Sequence, residues 1–201
     1  MKFTKQSIPV LLTALAATVL FSSCGTAPAP TPTPKVVPKP TPVKKATPSY
    51  TSTAALAKKI LKHPKITLLR HQVSGRVDGA TSYDSIAQVS RGYSAKRSSY
   101  QNAPGGYTKL DRKMLETMLY MADVKGYSYR VTSIAGGSHS KGSRHYAGKG
   151  FDVDLINGVK VGAGKPYYRA FMSAARAKGA TEVLGPGTKG HSRHIHMAWP
   201  R

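Results

Sequence analysis

Two segments near the C-terminus alternate strictly between apolar and polar residues, and they constrain the fold more than any other feature of the chain. Residues 151–156 have the sequence FDVDLI and residues 193–199 the sequence RHIHMAW. Alternation with a period of two is typical of β-strands that bury one face. The polar faces carry two aspartates and two histidines: Asp152, Asp154, His194 and His196. If the strands lie side by side, Asp152 and His196 meet on the open face of a sheet.

The other hydrophobic patterns predict helices and strands that alternate along the chain. Helices are expected at 54–62, 108–125 and 166–178, and further strands at 65–71, 127–134, 159–161 and 181–184. This order predicts an α+β domain in which helices flank a small antiparallel sheet. Residues 72–107 are polar and predict only short strands or a long loop over the open face.

The helix predicted at 108–125 has a recognisable start and one apolar face. Thr108 and Asp111 are three residues apart and predict an Asp variant of a capping box. Met114, Met118 and Met121 recur at helical spacing. Methionine packs readily into irregular cores, so this stripe predicts core packing rather than a metal or redox site.

The N-terminal quarter predicts export and a tether rather than a folded domain. Residues 1–23 have two lysines, an apolar stretch and then small residues before Cys24, which is the pattern of a signal peptide. The segment resembles a bacterial lipobox, which implies that Cys24 is lipidated; a cleaved signal with an unmodified cysteine is the alternative. Residues 24–53 contain eight of the fourteen prolines and predict an extended linker. Residues 54–201 are then the folded domain.

The charge of the chain predicts a polyanionic partner. The sequence has 31 Lys and Arg against 8 Asp and Glu, a formal net charge of +23. Peptidoglycan with its associated anionic polymers is one such partner outside the cell, and nucleic acid is another. No nucleic-acid motif is present and the export signal argues against that partner, so no nucleic acid is expected.

One aspartate and two histidines from separate segments have the residue types of a zinc site. His145, Asp152 and His196 can hold Zn²⁺ through two imidazoles and a carboxylate. Three protein ligands leave the fourth position of a tetrahedral ion open, which distinguishes a catalytic zinc site from a structural one. Cys24 is the only cysteine, so no thiolate cluster competes as a metal site.

Two motifs carry a resemblance to a known family. Residues 143–152 (SRHYAGKGFD) match the pattern S-x-H-x-x-G-x-A-x-D with Gly150 in the Ala place, and His194-Ile195-His196 matches a later H-x-H. Together they resemble the D-alanyl-D-alanine metallopeptidases, over roughly residues 108–199. The resemblance implies a hedgehog/DD-peptidase fold and zinc held by His145, Asp152 and His196. It also implies hydrolysis of an amide bond in peptidoglycan.

The chain departs from the family at the general base. Several members have a Glu three residues before the last ligand, where this chain has Arg193. The murein-endopeptidase branch instead has histidines five and two residues before that ligand, which correspond to His191 and His194. The resemblance therefore implies that these two histidines transfer protons or stabilise the transition state, without showing which is the base. Glu182 is a weaker candidate, for which a surface role is expected.

A second departure concerns the cation that stabilises the oxyanion. Many relatives have Arg in an S-G-Y-R string, whereas residues 132–137 here are TSIAGG. The sequence leaves four replacements open: Arg130, His139, Lys141 and Arg144.

Three residues near the predicted ligands, Ser143, Arg144 and Asp154, are candidates for supporting roles. Ser143 is expected either to hydrogen-bond the substrate or a ligand residue or to stabilise a turn, and Arg144 to bind substrate. Asp154 either orients a ligand from behind or pairs with a surface cation. His63 and His71 lie outside both motifs and are expected to be non-catalytic.

These observations predict a zinc peptidase that is lipid-anchored in a bacterial cell envelope and cleaves peptidoglycan as a carboxypeptidase or an endopeptidase. The alternative is a lipoprotein of the same fold that binds peptidoglycan but is catalytically impaired, because the usual Glu and Arg are missing. The sequence predicts neither an oligomeric state nor the choice between inner and outer membrane.

Overall fold

The computed structural model describes residues 52–201. The predicted signal peptide, Cys24 and nearly all of the linker at 24–53 lie outside the described residues. Within 52–201, no helix is long and apolar enough to cross a membrane.

Four helices occur within the described residues. They are α1 (Thr53–Lys62), α2 (Ser82–Ser90), α3 (Arg112–Asp123) and α4 (Tyr168–Ala177). The sequence predicted α1, α3 and α4 but not α2. It also placed the start of α3 too early, because Asp111 is the N-cap and its side chain accepts the backbone N–H of Met114. Thr108 instead belongs to a short strand.

Six strands form one mixed sheet. They are β1 (Ile66–Leu68), β4 (Tyr129–Ser133), β5 (Gly150–Ile156), β6 (Val159–Lys160), β7 (Glu182–Leu184) and β8 (Ile195–Ala198). The order is β1-β4-β5-β8-β7, and β6 pairs with β5. The domain is therefore α+β, as predicted, but the expected antiparallel sheet is wrong in one place. β1 and β4 run parallel, because the long connection through α2 and α3 returns the chain in the same direction.

The core lies on the face of the sheet opposite the polar strand residues. Phe151 and Trp199 are at most 1% exposed, and their rings stack with centroids 5.9 Å apart. Phe171 of α4 packs edge-on against Tyr129 of β4, at 5.3 Å between centroids. The three methionines of α3 named above are fully buried, which confirms that their stripe is core.

The segment 72–107, which the sequence left unassigned, folds into α2 and a hairpin of β2 (Ala95–Lys96) and β3 (Tyr107–Thr108). Gln72 is 2% exposed and its amide donates to Asp78 and to the carbonyl of Ala80. Ser98 donates to Asp78 and accepts the backbone N–H of Gly137 at 2.9 Å. The segment is thereby fixed to the loop that precedes His145.

Gly136 is the point of closest approach between these two segments. A Cβ at this residue would lie 1.9 Å from the carbonyl oxygen of Ala80 and 2.6 Å from Nε2 of Gln72. We expect Gly136→Ala to destabilise the domain by about 1–3 kcal/mol, because backbone atoms must move to admit the methyl group. Thermal unfolding should show a fall of about 2–4 °C for each kcal/mol.

Gly142→Ala is the matched control, since its Cβ would meet only an arginine side chain at 3.6 Å. Equal melting temperatures for the two variants would contradict the tight packing at Gly136.

Candidate metal centre

Three side chains converge on one point of the open sheet face. Asp152 of β5 and His196 of β8 are directly opposed in the antiparallel register, so their side chains leave the sheet on the same side. His145 comes from the turn that precedes β5. Its Nε2 lies 3.2 Å from Oδ1 of Asp152 and 3.0 Å from Nδ1 of His196, and the latter two atoms are 2.9 Å apart. All three residues are buried.

The hydrogen bonds behind the two imidazoles orient their lone pairs inward. Nδ1 of His145 lies 2.7 Å from the carbonyl oxygen of Ile134, which can only accept. Nε2 of His196 lies 2.9 Å from Oε1 of Glu182, which accepts when ionised. In its neutral form, each ring donates outward and directs its other nitrogen, which then carries a lone pair, at Asp152.

This arrangement fits a zinc ion. Two nitrogen lone pairs and a carboxylate oxygen face one another within 3.2 Å. Only a cation or extra protons can satisfy three such acceptors. Ligand atoms about 2.0–2.1 Å from a tetrahedral zinc are about 3.3 Å apart, close to the spacing found here.

The protonation equilibria of the ligand residues reflect the same convergence. Burial raises the pKa of Asp152, but the imidazoles of His145 and His196 outweigh it and hold the pKa well below its usual range. Burial lowers the pKa of His145, but the charge of Asp152 and the hydrogen bonds that His145 makes raise it overall. Asp152 is thus kept ionised, as a metal ligand must be.

A second grouping replaces His196 with His139. Ligand atoms of His139, His145 and Asp152 lie within 4.8 Å of one another. The His139 ring is stacked nearly parallel on the His145 ring, with centroids 3.9 Å apart and planes at 14°. Its Nε2 lies 3.0 Å from the carbonyl oxygen of Gly136 and 3.2 Å from Oγ of Ser133. The shorter mutual distances favour His196 as the third ligand, with His139 packed beside the centre.

The two histidines predicted as proton-transfer groups contact each other, but only His194 lines the groove. His194 lines the groove above the ligands. Its pKa is lowered by burial, which the charge of Asp152 offsets only in part. His191 packs against His194, with ring centroids 4.8 Å apart, and its Nδ1 lies 3.0 Å from the carbonyl oxygen of Lys189. It is not among the residues that line the groove.

Glu182 has a structural partner that the sequence did not predict. Besides its bond to His196, its other carboxylate oxygen lies 3.6 Å from Nε of Arg144. Arg144 also donates to the hydroxyl of Thr181 and to the carbonyl of Trp199. The expected surface role of Glu182 is therefore wrong in this respect, since the residue orients His196. The strand register could have indicated it, because Leu184, two residues on, pairs with His196.

The remaining predicted residues separate into those near the groove and those away from it. Ser143 accepts the backbone N–H of His145 at 3.3 Å, which is the turn-stabilising alternative. Neither Ser143 nor Arg144 lines the groove, so this geometry gives no support to their predicted substrate contacts. Asp154 makes a two-point ion pair with Arg130, at 2.8 and 2.6 Å, rather than a bond to a ligand histidine.

Two of the four candidates for the oxyanion cation remain near the groove. Arg130 and His139 line it, whereas Lys141 and Arg144 do not. Burial, with the nearby His145, lowers the pKa of His139 to about 4, so this ring is neutral at pH 7.

Asp152, one of the three candidate ligands, lines a groove with a volume of about 1200 Å³, whereas His145 and His196 are buried behind it. Asp152 and His194 line it together with residues of β4, β5 and β6. One wall comes from Gln72, Val73, Ser74, Arg76, Tyr100 and Gln101, all from the segment that the sequence left unassigned. A groove large enough for substrate that reaches one of the candidate ligands is typical of a catalytic rather than a structural zinc centre.

Comparison with known proteins agrees with this class of site. The chain is similar to the zinc D-Ala-D-Ala carboxypeptidase of Streptomyces albus G, with 37% identity over 75 residues. The match covers 37% of this chain and 26% of that relative, so the chain spans about a quarter of the relative's length. No protein-family model matches. The similarity supports the family resemblance drawn from the two motifs. Because the relative is a zinc enzyme, Zn²⁺ is the cofactor indicated for this chain.

The two ligand groupings predict different effects of single substitutions on zinc affinity. We expect His145→Ala, Asp152→Ala and His196→Ala each to weaken zinc binding by at least about 100-fold, because each removes a direct ligand. His139→Ala should stay within about tenfold of wild type. Glu182→Gln should cost about 10–100-fold through loss of the bond that orients His196. Competition with a coloured chelator measures all five affinities.

His63→Ala is the control, because His63 pairs with Asp123 outside the groove. Strong zinc binding by His196→Ala together with loss in His139→Ala would favour the second grouping.

Proposed function

We propose that this chain is a zinc peptidase that hydrolyses an amide bond in peptidoglycan stem peptides or cross-links. The observation that carries the proposal is the convergence of His145, Asp152 and His196 beside an open groove that Asp152 and His194 line. The similarity to a zinc D-Ala-D-Ala carboxypeptidase supports peptidoglycan as the substrate. The two motifs, with the ligand residues on paired strands and on the preceding turn, support the hedgehog/DD-peptidase type of fold.

We assign the general base to a histidine of the groove. Bound zinc would polarise the scissile carbonyl and lower the pKa of the attacking water. His194 lines the groove and is neutral at pH 7, so it can accept a proton as general base. His191 packs against the His194 ring, with centroids 4.8 Å apart. Arg193, which replaces the Glu of other members, cannot accept that proton.

Charge that develops on the substrate oxygen needs a donor in the groove. Arg130 lines the groove and can supply N–H groups there, and Asp154 fixes its guanidinium in one orientation. His139 is neutral and can act only as a hydrogen-bond donor or acceptor. These properties favour Arg130 for oxyanion stabilisation.

The proposed location follows from the sequence alone. A signal peptide at 1–23, lipidation of Cys24 and a proline-rich linker would attach the domain at 54–201 to a membrane of the bacterial envelope. The linker would let the domain reach peptidoglycan while its anchor stays in the membrane.

Incubation with purified sacculi tests the proposed activity. We expect zinc-loaded protein to release peptide fragments. Their masses, measured by mass spectrometry, identify the bond that is cleaved. Asp152→Ala should release none because it loses the metal, and His194→Ala should retain zinc but lose about 10²–10⁴-fold in rate. His63→Ala is the matched control with normal release.

Absence of fragments from wild-type protein that holds stoichiometric zinc would contradict a peptidase. If that protein still sedimented with sacculi, the result would favour the catalytically impaired binding protein. Arg193 supports this alternative because it stands where several family members have the Glu base.

The lowered pKa of His194 also predicts a pH dependence. The ring must be neutral to accept a proton, and burial moves its pKa below the ordinary value of 6.5. We therefore expect kcat/KM to stay near its maximum as the pH falls to 6.5 and to decline only below that pH. Steady-state rates between pH 4.5 and 8 check this, and an acidic limb above pH 6.5 would exclude His194 as the base.

A further inference from the structure

The charges that line the groove are unbalanced. Four cationic residues, Arg76, Arg130, Lys160 and Arg193, line it against two carboxylates, Asp152 and Asp154. Asp152 faces the ligand histidines and Asp154 is paired with Arg130. No ion pair joins the other three cations to an acidic residue within the part of the chain that the structure describes. The groove therefore presents positive charge that its own carboxylates do not neutralise.

The unmatched cations lie on opposite sides of the strand that carries Asp152. Arg76 lies in a turn closed by the bond from the backbone N–H of Gln72 to its carbonyl oxygen. Gln72 and Gly137 both donate to Ser98, and Gly137 lies four residues past β4, which pairs with one edge of β5. Lys160 belongs to β6, and Arg193 lies two residues before β8; both strands pair with the other edge of β5. Lys160 is opposite Leu155, and Ile195 is opposite Val153. Lys160 and Arg193 thus lie beside the same stretch of β5, across the groove from Arg76.

The side chain of Arg76 is supported where it lines the groove. Its guanidinium carbon lies 4.5 Å from the centre of the Tyr100 ring, in a cation–π contact. A guanidinium held in this way loses less freedom when it binds a planar carboxylate. Arg193 and Lys160 are exposed, so a ligand can reach both.

The size of the groove matches a ligand longer than a terminal dipeptide. Its volume of about 1200 Å³ exceeds the usual range for a site that holds one drug-sized molecule, about 300–1000 Å³. A peptide of several residues can therefore pass over the ligand residues and contact both walls.

We propose that the groove binds an acidic peptide that continues on both sides of the metal centre, with one carboxylate bound by Arg76 and another by Lys160 and Arg193. This proposal rests on the proposed function, which places the scissile bond at the metal centre. It extends that function by favouring cleavage inside a peptide over removal of a terminal residue. Arg193 then has a role in substrate selection at the position where relatives have an acid.

Amidation of the substrate separates charge from shape. Two synthetic peptides of the same sequence are compared, one with a free carboxylate on each side of a central amide bond and one with both as primary amides. Calorimetry with zinc-loaded protein, on versions of both peptides whose central amide is N-methylated to resist cleavage, gives their Kd values. We expect the acidic peptide to bind at least about tenfold more tightly, because charge-assisted bonds are lost on amidation.

Charge-reversal variants assign the two walls. Arg76→Glu and Arg193→Glu should each raise the Kd of the acidic peptide by at least about tenfold and leave that of the amidated peptide nearly unchanged. A peptide with only one free carboxylate should respond to one variant and not to the other. Lys58→Glu is the matched control, because Lys58 is exposed on α1, outside the groove, and changes the net charge equally.

Several results would overturn the proposal. These are equal affinities for the acidic and amidated peptides, an equal effect of Lys58→Glu, or equal competition by an inorganic polyphosphate. The peptide comparison uses unaltered protein, so poor folding of a variant cannot obscure it.

Cleavage assays on zinc-loaded protein keep this inference distinct from the proposed function. Charge-dependent binding without cleavage would refute the peptidase and leave the peptide-binding groove intact. Cleavage of acidic and amidated peptides with equal kcat/KM, or removal of a terminal residue only, would refute the inference and leave the peptidase intact.

Discussion

The register between β5 and β8 is the constraint on which the rest of the site depends. Asp152 and His196 are directly opposed, and their neighbours Phe151 and Met197 are opposed on the buried face. Because side chains alternate along a strand, a slip of β8 by one residue would turn His196 into the core and Met197 to the open face, while Asp152 stayed where it is. The packing of Phe151 on Trp199 therefore stabilises the fold and also holds two ligand side chains opposite each other. Here the hydrophobic core and the metal centre are two faces of one strand pair.

The sequence predicted the parts of the molecule that follow from local periodicity. The alternation at 151–156 and 193–199 was sufficient to place Asp152 and His196 on one face, and the helical spacing of methionines was sufficient to place α3 on the core. It missed α2, whose sequence SYDSIAQVS has few large apolar residues; Thr81 and Asp84, which form its capping box, were the available signal. It also missed the parallel β1–β4 pair, because strand direction depends on how distant segments return to the sheet.

Interactions between distant residues account for the other differences in the site. Asp154 and Arg130 are 24 residues apart in sequence and meet because their strands are neighbours. No local sequence pattern could therefore predict that they pair with each other. The same holds for the wall formed by Gln72 and Ser98 against Gly137. Residue types and motif spacing thus indicated the chemistry of the centre, whereas the shape and charge of the groove emerged only from the folded chain.

The bonds behind His196 have a consequence for how such a site can change. Glu182 joins His196 to Arg144, and Arg144 is held in turn by Thr181 and by the backbone of Trp199, all outside the groove lining. A substitution in this chain of contacts would turn the imidazole and alter how strongly the metal is held without touching any surface that a peptide meets. If the candidate ligands hold the metal as proposed, metal retention can be changed from behind the sheet edge and substrate choice from the groove walls.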